Sequence, residues 1–177
     1  MNLDYLNECF SWDYDGNLSW KERPRHHFKS DGRHKWFLSR FANKPAGSIC
    51  KPTGYHQVGV SGQVIGAHRI LYMLYNNIII PDKLQVDHVD GNRTNNIFKN
   101  LRLGTRRENG YNTGKRKDNT TGYKGVCFSK YMNKYSSYIR ASGNKQKHLG
   151  FFDTAEEAHE AYKAAAMKYH GEFSNFG

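Results

Sequence analysis

No run of about 18 apolar residues occurs anywhere in the chain, which argues against a membrane-spanning helix. The opening MNLDYLNECF has neither the basic stretch nor the apolar core of a secretory leader, so a cytoplasmic protein is expected. Cysteine is scarce: Cys9, Cys50 and Cys127 lie far apart and form no C-x-x-C pair. Such a scatter argues against a structural zinc site and suits buried thiols in a reducing compartment. Acidic residues are also few, 16 against 27 lysines and arginines, leaving a net charge of +11. That excess points to a polyanionic partner, although charge alone does not separate DNA from RNA or a membrane surface. Mean hydropathy is low at -0.86, yet 14% of the residues are aromatic, which argues against disorder. The 177 residues allow one domain or two small ones, each with a modest core.

What the chain does have is concentrated in Leu84 to Asn112, LQVDHVDGNRTNNIFKNLRLGTRRENGYN. It reads as a short strand with Leu84 and Val86, a polar loop opened by Asp87-His88, a second strand at Leu101 to Leu103, and a helical turn from about Thr105 to Asn112. Phosphodiester hydrolysis needs a group that takes a proton from water and a cation that neutralises charge on the phosphate and the leaving oxygen. Histidine, with an ordinary pKa of roughly 6.5, suits the first task. A carboxylate and an amide oxygen suit a hard divalent cation that keeps several waters.

Asp87-His88, Asn100 thirteen residues after Asp87, and Asn109 nine further on resemble the HNH nuclease motif in its Asp-His...Asn...Asn form. The words VDHVDGNRTNN and KNLRLGTRRENGYN are similar to phage and intron-encoded HNH homing endonucleases. The resemblance implies a ββα-metal site in which Asp87 and Asn109 hold one Mg²⁺ or Mn²⁺ ion, His88 is the general base, and Asn100 bonds the loop so that His88 faces the phosphate. Asn109 stands where many relatives have a histidine, and losing an imidazole shifts the site toward oxygen-loving cations. Within the motif, Asp90-Gly91-Asn92 reads as a turn, and Asn95 and Asn96 as residues that tie loop backbone together. Glu108 neighbours Asn109, but adjacent helical residues point about 100° apart, so one of the two faces the metal, and the resemblance favours Asn109.

Upstream, Phe10 to Trp20 reads as a hairpin around Asp15-Gly16-Asn17, and Tyr55 to Ile65 as a second around Ser61-Gly62. Lys21 to Lys44 carries eight basic residues against two acids, with Trp36, Phe37 and Phe41 among them; it reads as a solvated loop or a DNA-contacting arm. Ala67 to Asn77 reads as a helix with Ile70, Leu71 and Leu74 on one face, closed off by Pro81. His68 at its start is read first as a packing or capping residue, with phosphate contact by His68 or Arg69 as the alternative. The order of these elements is also similar to the N-terminal half of phage HNH proteins.

Thr113 to Thr121, TGKRKDNTT, has no apolar residue and reads as a basic linker in which Lys115, Arg116 and Lys117 meet DNA backbone. Beyond it, Tyr123 to Lys130, Lys134 to Ser142 and Lys145 to Phe152 read as three strands, with Gly143-Asn144 as the turn before the third. A helix to about Tyr169 follows, capped by Asp153 or Thr154, with Glu157 three residues past Thr154 completing a capping box, and packing through Ala155, Ala158, Tyr162, Ala165 and Ala166. Thr113 to Gly150 holds nine basic residues against Asp118 alone, whereas the helix opens with Asp153, Glu156, Glu157 and Glu160. A basic sheet and an acidic helix suggest that the sheet meets phosphates. Alternation puts Val126, Phe128, Tyr135 and Ile139 on the helix side and Tyr138 and Arg140 on the other.

The words YKGV, YIR, HLGFFDTAEEAHEAY and AAAMKYHGEFSNF resemble the AP2 DNA-binding domain. The resemblance implies a three-stranded sheet laid in the major groove, with Cys127, Ser129, Tyr138, Arg140, Gln146 and His148 facing DNA, and Lys124 is expected to bind DNA as well. The expected fold is α+β: an HNH ββα-metal nuclease domain with added hairpins over 1–112, a basic linker over 113–121, and an AP2-like antiparallel sheet on one helix over 122–177. The expected function is a metal-dependent, site-directed homing endonuclease acting on double-stranded DNA, a monomer that nicks and leaves 5′-phosphate and 3′-hydroxyl ends. The alternatives are a restriction or defence nuclease, and a regulatory DNA-binding protein that keeps the nuclease core as scaffold.

Overall fold

A computed structural model describes residues 2–141 and 145–177. The chain divides into two compact units, Met1–Gly104 and Thr105–Gly177.

The first unit opens with helix α1, Leu3–Cys9, where the Asn2 side chain accepts the Tyr5 N–H at 2.9 Å. This helix was not anticipated; its buried face is only Leu6 and Cys9, too short a stripe to read as a period. The first expected hairpin forms as β1, Phe10–Trp12, and β2, Leu18–Trp20, with Phe10 opposite Trp20. Its turn is held by the Asp13 carboxylate, which accepts from the Asn17 side chain and from the backbone N–H groups of Asn17 and Asp15. These bonds, Asn17 foremost, hold the Asp13 pKa below its ordinary value.

Lys21 to Lys44 is not a loop. It contains a 3₁₀ turn, Arg25–His27, and helix α2, Asp31–Arg40, capped by Ser30. Only Phe37 of α2 is buried, so the helix carries no apolar stripe for a sequence reading to find. Beside it Arg23 is 9% exposed, and its guanidinium lies over the rings of Phe28, Phe37, Trp20 and Tyr5, its centre 4.9 to 5.6 Å from their centroids. Its Nη2 also donates to the Tyr5 hydroxyl at 2.7 Å. Stacking on aromatic faces lets a cation be buried without a carboxylate beside it.

Strands β3, Ser48–Ile49, β4, His56–Val60, and β5, Gln63–Gly66, form an antiparallel sheet in that order. Ser61 and Gly62 between β4 and β5 both have positive φ, 50° and 74°, as a two-residue hairpin turn requires. Helix α3, Ala67–Asn76, follows and buries Ala67, His68, Ile70, Leu71, Met73 and Leu74; Asn77 ends it in the left-handed conformation. The chain then enters β6, Leu84–His88, which pairs with β7, Leu101–Thr105. Val86 and Leu101 of this pair join the core of Leu6, Phe10, Val58, Ile70 and Leu71.

The second unit begins with helix α4, Arg106–Tyr111, opened by a capping box between Thr105 and Glu108. Tyr111 stacks on His170 with ring centroids 3.8 Å apart, and Asn175 donates to the Asn112 carbonyl at 2.9 Å. The units thus part before α4, where the sequence reading parts the domains at 112. Strands β8, Val126–Ser129, β9, Lys134–Arg140, and β10, Gln146–Phe152, form an antiparallel sheet with β9 in the middle. The expected Gly143-Asn144 turn and Ser142 lie outside the described residues.

Helix α5, Ala155–His170, carries the expected Thr154–Glu157 capping box and packs on the sheet. Its buried side is Ala155, Ala158, His159, Tyr162, Ala165, Ala166 and His170, the small residues allowing close approach to Val126 and Ile139. Phe128, expected on the helix side, is 44% exposed, with its ring edge against Tyr135. It sits in the sheet's outer strand β8, where the helix does not cover it.

Gly125 has φ +79°, and a Cβ there would lie 2.1 Å from the Tyr162 ring. Gly125→Ala is expected to destabilise the protein by about 2 kcal/mol or more, from left-handed strain plus overpacking. Thermal unfolding measures it, and a variant as stable as wild type would contradict this packing.

Candidate active site

Strand β6 delivers Asp87 and His88 at its C-terminal end, and the chain then turns sharply, with the Gly91 N–H bonded to the His88 carbonyl at 2.9 Å. The loop is closed by side chains rather than by further strand. Asn100 accepts the Asp90 N–H at 3.0 Å through Oδ1, while its Nδ2 donates to Asp90 Oδ1 at 2.9 Å and to the Asn95 carbonyl at 2.8 Å. Its own carbonyl accepts the Val89 N–H. Asn95 donates to Asp90 Oδ2 at 2.7 Å, and the Asn92 N–H reaches Oδ1 at 2.8 Å. Partial burial pushes the Asp90 pKa up, but the bonds from Asn95, Asn100 and Asn92 outweigh it, and the carboxyl titrates below its ordinary value.

His88 is 3% exposed, and its Nε2 lies 3.0 Å from Asn96 Oδ1. Because an amide oxygen only accepts, this contact fixes the hydrogen on Nε2 and puts the neutral ring's lone pair on Nδ1. Asn96 is itself held, its carbonyl accepting the Tyr75 hydroxyl of α3 at 3.1 Å. A Cβ at Gly16 would stand 2.7 Å from the Asn96 carbonyl carbon, so the β1–β2 turn packs directly on this loop. The sequence reading gave Asn96 only a backbone-tying role; a run of two asparagines does not show which one faces a histidine.

Asp87 Oδ2 accepts from Arg102 Nη2 at 2.9 Å and Nε at 3.1 Å, across the β6–β7 pair. Both side chains are nearly covered, 13% and 14% exposed. The sequence reading passed over Arg102, because one arginine in a short strand looks like a solvent-facing residue.

His68 lies behind His88, ring centroids 5.0 Å apart, and Tyr55 lies 5.0 Å from His68 and 6.0 Å from His88. Arg93 stands over the Tyr55 ring at 5.0 Å and donates to the Thr53 carbonyl. Gly66 is required here, since a Cβ would fall 2.4 Å from His68 Cε1. Burial, then the charges of His88 and Arg69, lowers the His68 pKa from 6.5 to about 3, so the ring is neutral at ordinary pH. Its Nδ1 is buried without a hydrogen bond among the described residues. His68 is therefore a packing residue, as read first, but one packed against the histidine of the motif.

Asn109 lies on α4, in the second unit. Glu108, its neighbour, returns to bond the Thr105 N–H at 2.7 Å and serves as a helix cap.

On the sheet of the second unit, cross-strand partners bring Tyr138 opposite His148, Arg140 opposite Gln146, and Cys127 opposite Ser136. His148 Nε2 is 2.9 Å from the Ser136 hydroxyl. An open cleft of about 590 Å³ is lined by Lys115, Arg116, Tyr138, Arg140 and Gln146. Arg116 forms a two-point pair with Asp118 at the surface, Lys115 donates to the Gly122 carbonyl, and Lys117 is exposed. Lys124 is turned inward instead: its Nζ donates to the carbonyls of Tyr111, Thr113 and Asn175 at 2.6 to 2.9 Å. Burial lowers its pKa from 10.5 to about 8. Those three bonds make it a fastener of residues 111–113 to the chain end.

The HNH endonuclease family matches residues 66–111, from the end of β5 through α4. Protein 3.8 of Escherichia phage T7 is 35% identical over 97 residues, which are 55% of this chain and 78% of that protein. An HNH endonuclease of Acanthamoeba polyphaga mimivirus is 33% identical over 142 residues, 80% of this chain and 66% of that protein. Among solved structures, one describing DNA binding and cleavage by the HNH homing endonuclease I-HmuI is similar over 92% of this chain and 85% of that chain, with 20% identity and a TM-score of 0.40.

Since His68 titrates lower in the fold than in the unfolded chain, the unfolded chain takes up the proton first, and stability falls as pH drops from 6.5 toward about 3. Urea unfolding at stepped pH is expected to show a steeper loss across this window in the wild type than in His68→Gln. Parallel profiles would mean that the ring is not held neutral.

Proposed function

The chain belongs to the HNH endonuclease family, and from that premise we propose that it is a metal-dependent, site-directed DNA endonuclease of the homing type that nicks its target as a monomer. The observation that carries the reading is His88, buried at the end of β6, its Nε2 held by Asn96 within a loop that Asp90, Asn95 and Asn100 close. A general base must meet its substrate in one orientation and one tautomer, and those bonds supply both.

Asp87 and Asn109 are the residues that would hold one Mg²⁺ or Mn²⁺ ion. A carboxylate and an amide oxygen without imidazole or thiolate fit a hard cation, and Arg102 on Asp87 Oδ2 orients the carboxylate from behind. When bound, the ion supplies neutralising charge for the phosphate and the departing 3′ oxygen. His88 takes a proton from the attacking water at Nδ1 while Asn96 Oδ1 steadies the imidazolium that forms. Asn100 acts one step back, through the loop backbone, and touches no reacting atom. The leaving oxygen becomes a 3′-hydroxyl and the phosphate stays on the 5′ end.

In this reading residues 122–177 are an AP2-like module that places the nuclease on its site. Tyr138, Arg140, Gln146 and His148 face the DNA from the sheet, and Lys115, Arg116 and Lys117 meet its backbone. The acidic opening of α5, with Glu156 and Glu157 in its first turn, supports the polarity, since like charge keeps that helix off phosphate. Arg140 can bond a guanine edge or a phosphate in two-point fashion. Lys124, fastened to three carbonyls, is assigned to stability instead.

Supercoiled plasmid carrying the flanks of the encoding gene, incubated with pure protein and Mg²⁺ or Mn²⁺, is expected to relax to open circles. EDTA should abolish this, and His88→Ala should slow it by about 10² to 10⁴, the worth of a general base. DNA that is bound but stays supercoiled with either metal would reject the reading in favour of a regulatory DNA-binding protein. Asn96→Ala is expected to lower the relaxation rate by about ten- to a hundredfold with DNA affinity unchanged, as loss of an orienting partner does. An Asn96→Ala rate equal to wild type would remove this residue from the mechanism.

A further inference from the structure

We propose that Glu8, His26 and His27 form a second metal site, of the imidazole and carboxylate kind that takes Zn²⁺, separate from the residues assigned to DNA cleavage. Glu8 lies in the last turn of α1, and the two histidines are consecutive in the 3₁₀ turn that leads to α2. One ligand atom from each lies within 4.8 Å of the others. Glu8 Oε2 is 2.6 Å from His27 Nε2 and 3.6 Å from His26 Nε2, and the two imidazole rings stand nearly perpendicular, 4.6 Å apart. Two Nε2 atoms and a carboxylate oxygen converging on one point are a zinc donor set, with the remaining position left to water. Mg²⁺, which prefers oxygen and an octahedral shell, suits it poorly.

The three ligands differ in freedom in a way that suits capture. The His27 side chain is 4% exposed and held against Glu8 and Cys9 of α1, while those of His26 and Glu8 are 71% and 43% exposed and can swing the last distance. Opposing the ion is Arg23, whose Nε stands 3.4 Å from His27 Nδ1. For Nε2 to bind metal, the ring hydrogen moves to Nδ1, where Cys9 Sγ lies 3.9 Å away as acceptor. Arg23 must then turn its Nε–H aside, a cost that the two imidazoles and the carboxylate together have to exceed. Once bound, the ion joins α1 to the segment before α2, two pieces that are otherwise short and weakly periodic, and so stabilises the first unit by mass action.

Zinc titration calorimetry on the full chain carrying Asp87→Ala, which removes the carboxylate proposed for the cleavage centre, tests the site in isolation. One equivalent of Zn²⁺ should bind, with a matching rise in Tm. Adding His26→Ala, a largely exposed side chain whose loss leaves the fold intact, should weaken binding by at least about tenfold, as should Glu8→Gln. Zinc affinity unchanged by His26→Ala, or no zinc bound by the Asp87→Ala protein, would overturn the proposal.

Discussion

The clasp between Asp90 and Asn100 is the constraint on which the candidate site depends. The twelve residues between the two short strands β6 and β7, 89–100, have no core of their own, so their shape comes largely from hydrogen bonds. Asn100 provides them from a buried position immediately before β7, binding both the backbone and the carboxylate of Asp90 and the carbonyl of Asn95. Three side-chain and backbone donors converge on the Asp90 carboxylate, each worth less than the about 1.5–3 kcal/mol of a buried bond to a charged acceptor because Asp90 is exposed. Without them the end of β6 would carry the same residues with no fixed direction for His88.

The rest of the first unit reinforces that loop from outside. Helix α3 contributes the Tyr75 hydroxyl to the Asn96 backbone and the His68 ring to the face of His88, while the β1–β2 turn presses Gly16 against Asn96. These are contacts between elements far apart in sequence, and each depends on a small geometric allowance. Gly66 leaves room for His68, and Gly16 leaves room for the loop. The β-hairpins that look peripheral in the sequence are in this sense the outer wall of the histidine's surroundings.

The second unit divides its work between the two sides of one sheet. Small residues on α5 let the helix lie against β9, and the other side carries Tyr138, Arg140, Gln146 and His148 in cross-strand register. Inside, Lys124 spends its ammonium on three carbonyls, which pins residues 111–113 to the chain end. The stretch Thr113 to Thr121, polar enough to read as a free linker, is therefore tied at its start. Its Asn119 side chain also bonds the Gly122 N–H and the Tyr123 carbonyl.

Whatever depends on residue type and local period was legible in the amino-acid order. It marked both N-terminal hairpins, α3, the β6 and β7 strands around Asp87-His88, the three C-terminal strands and the capping box of α5, because turn residues, alternation and caps are local signals. It missed α1 and α2, whose buried faces hold only two residues and one, too few to show a period. The packed fold, and no local signal, makes Asn96 rather than its neighbour meet His88, gives Asp87 to Arg102, buries His68 neutral behind the site and turns Lys124 inward. Each of those is a choice of partner between distant elements. A polar side chain's type says what it can bond to, but its partner is set by which elements the core brings together.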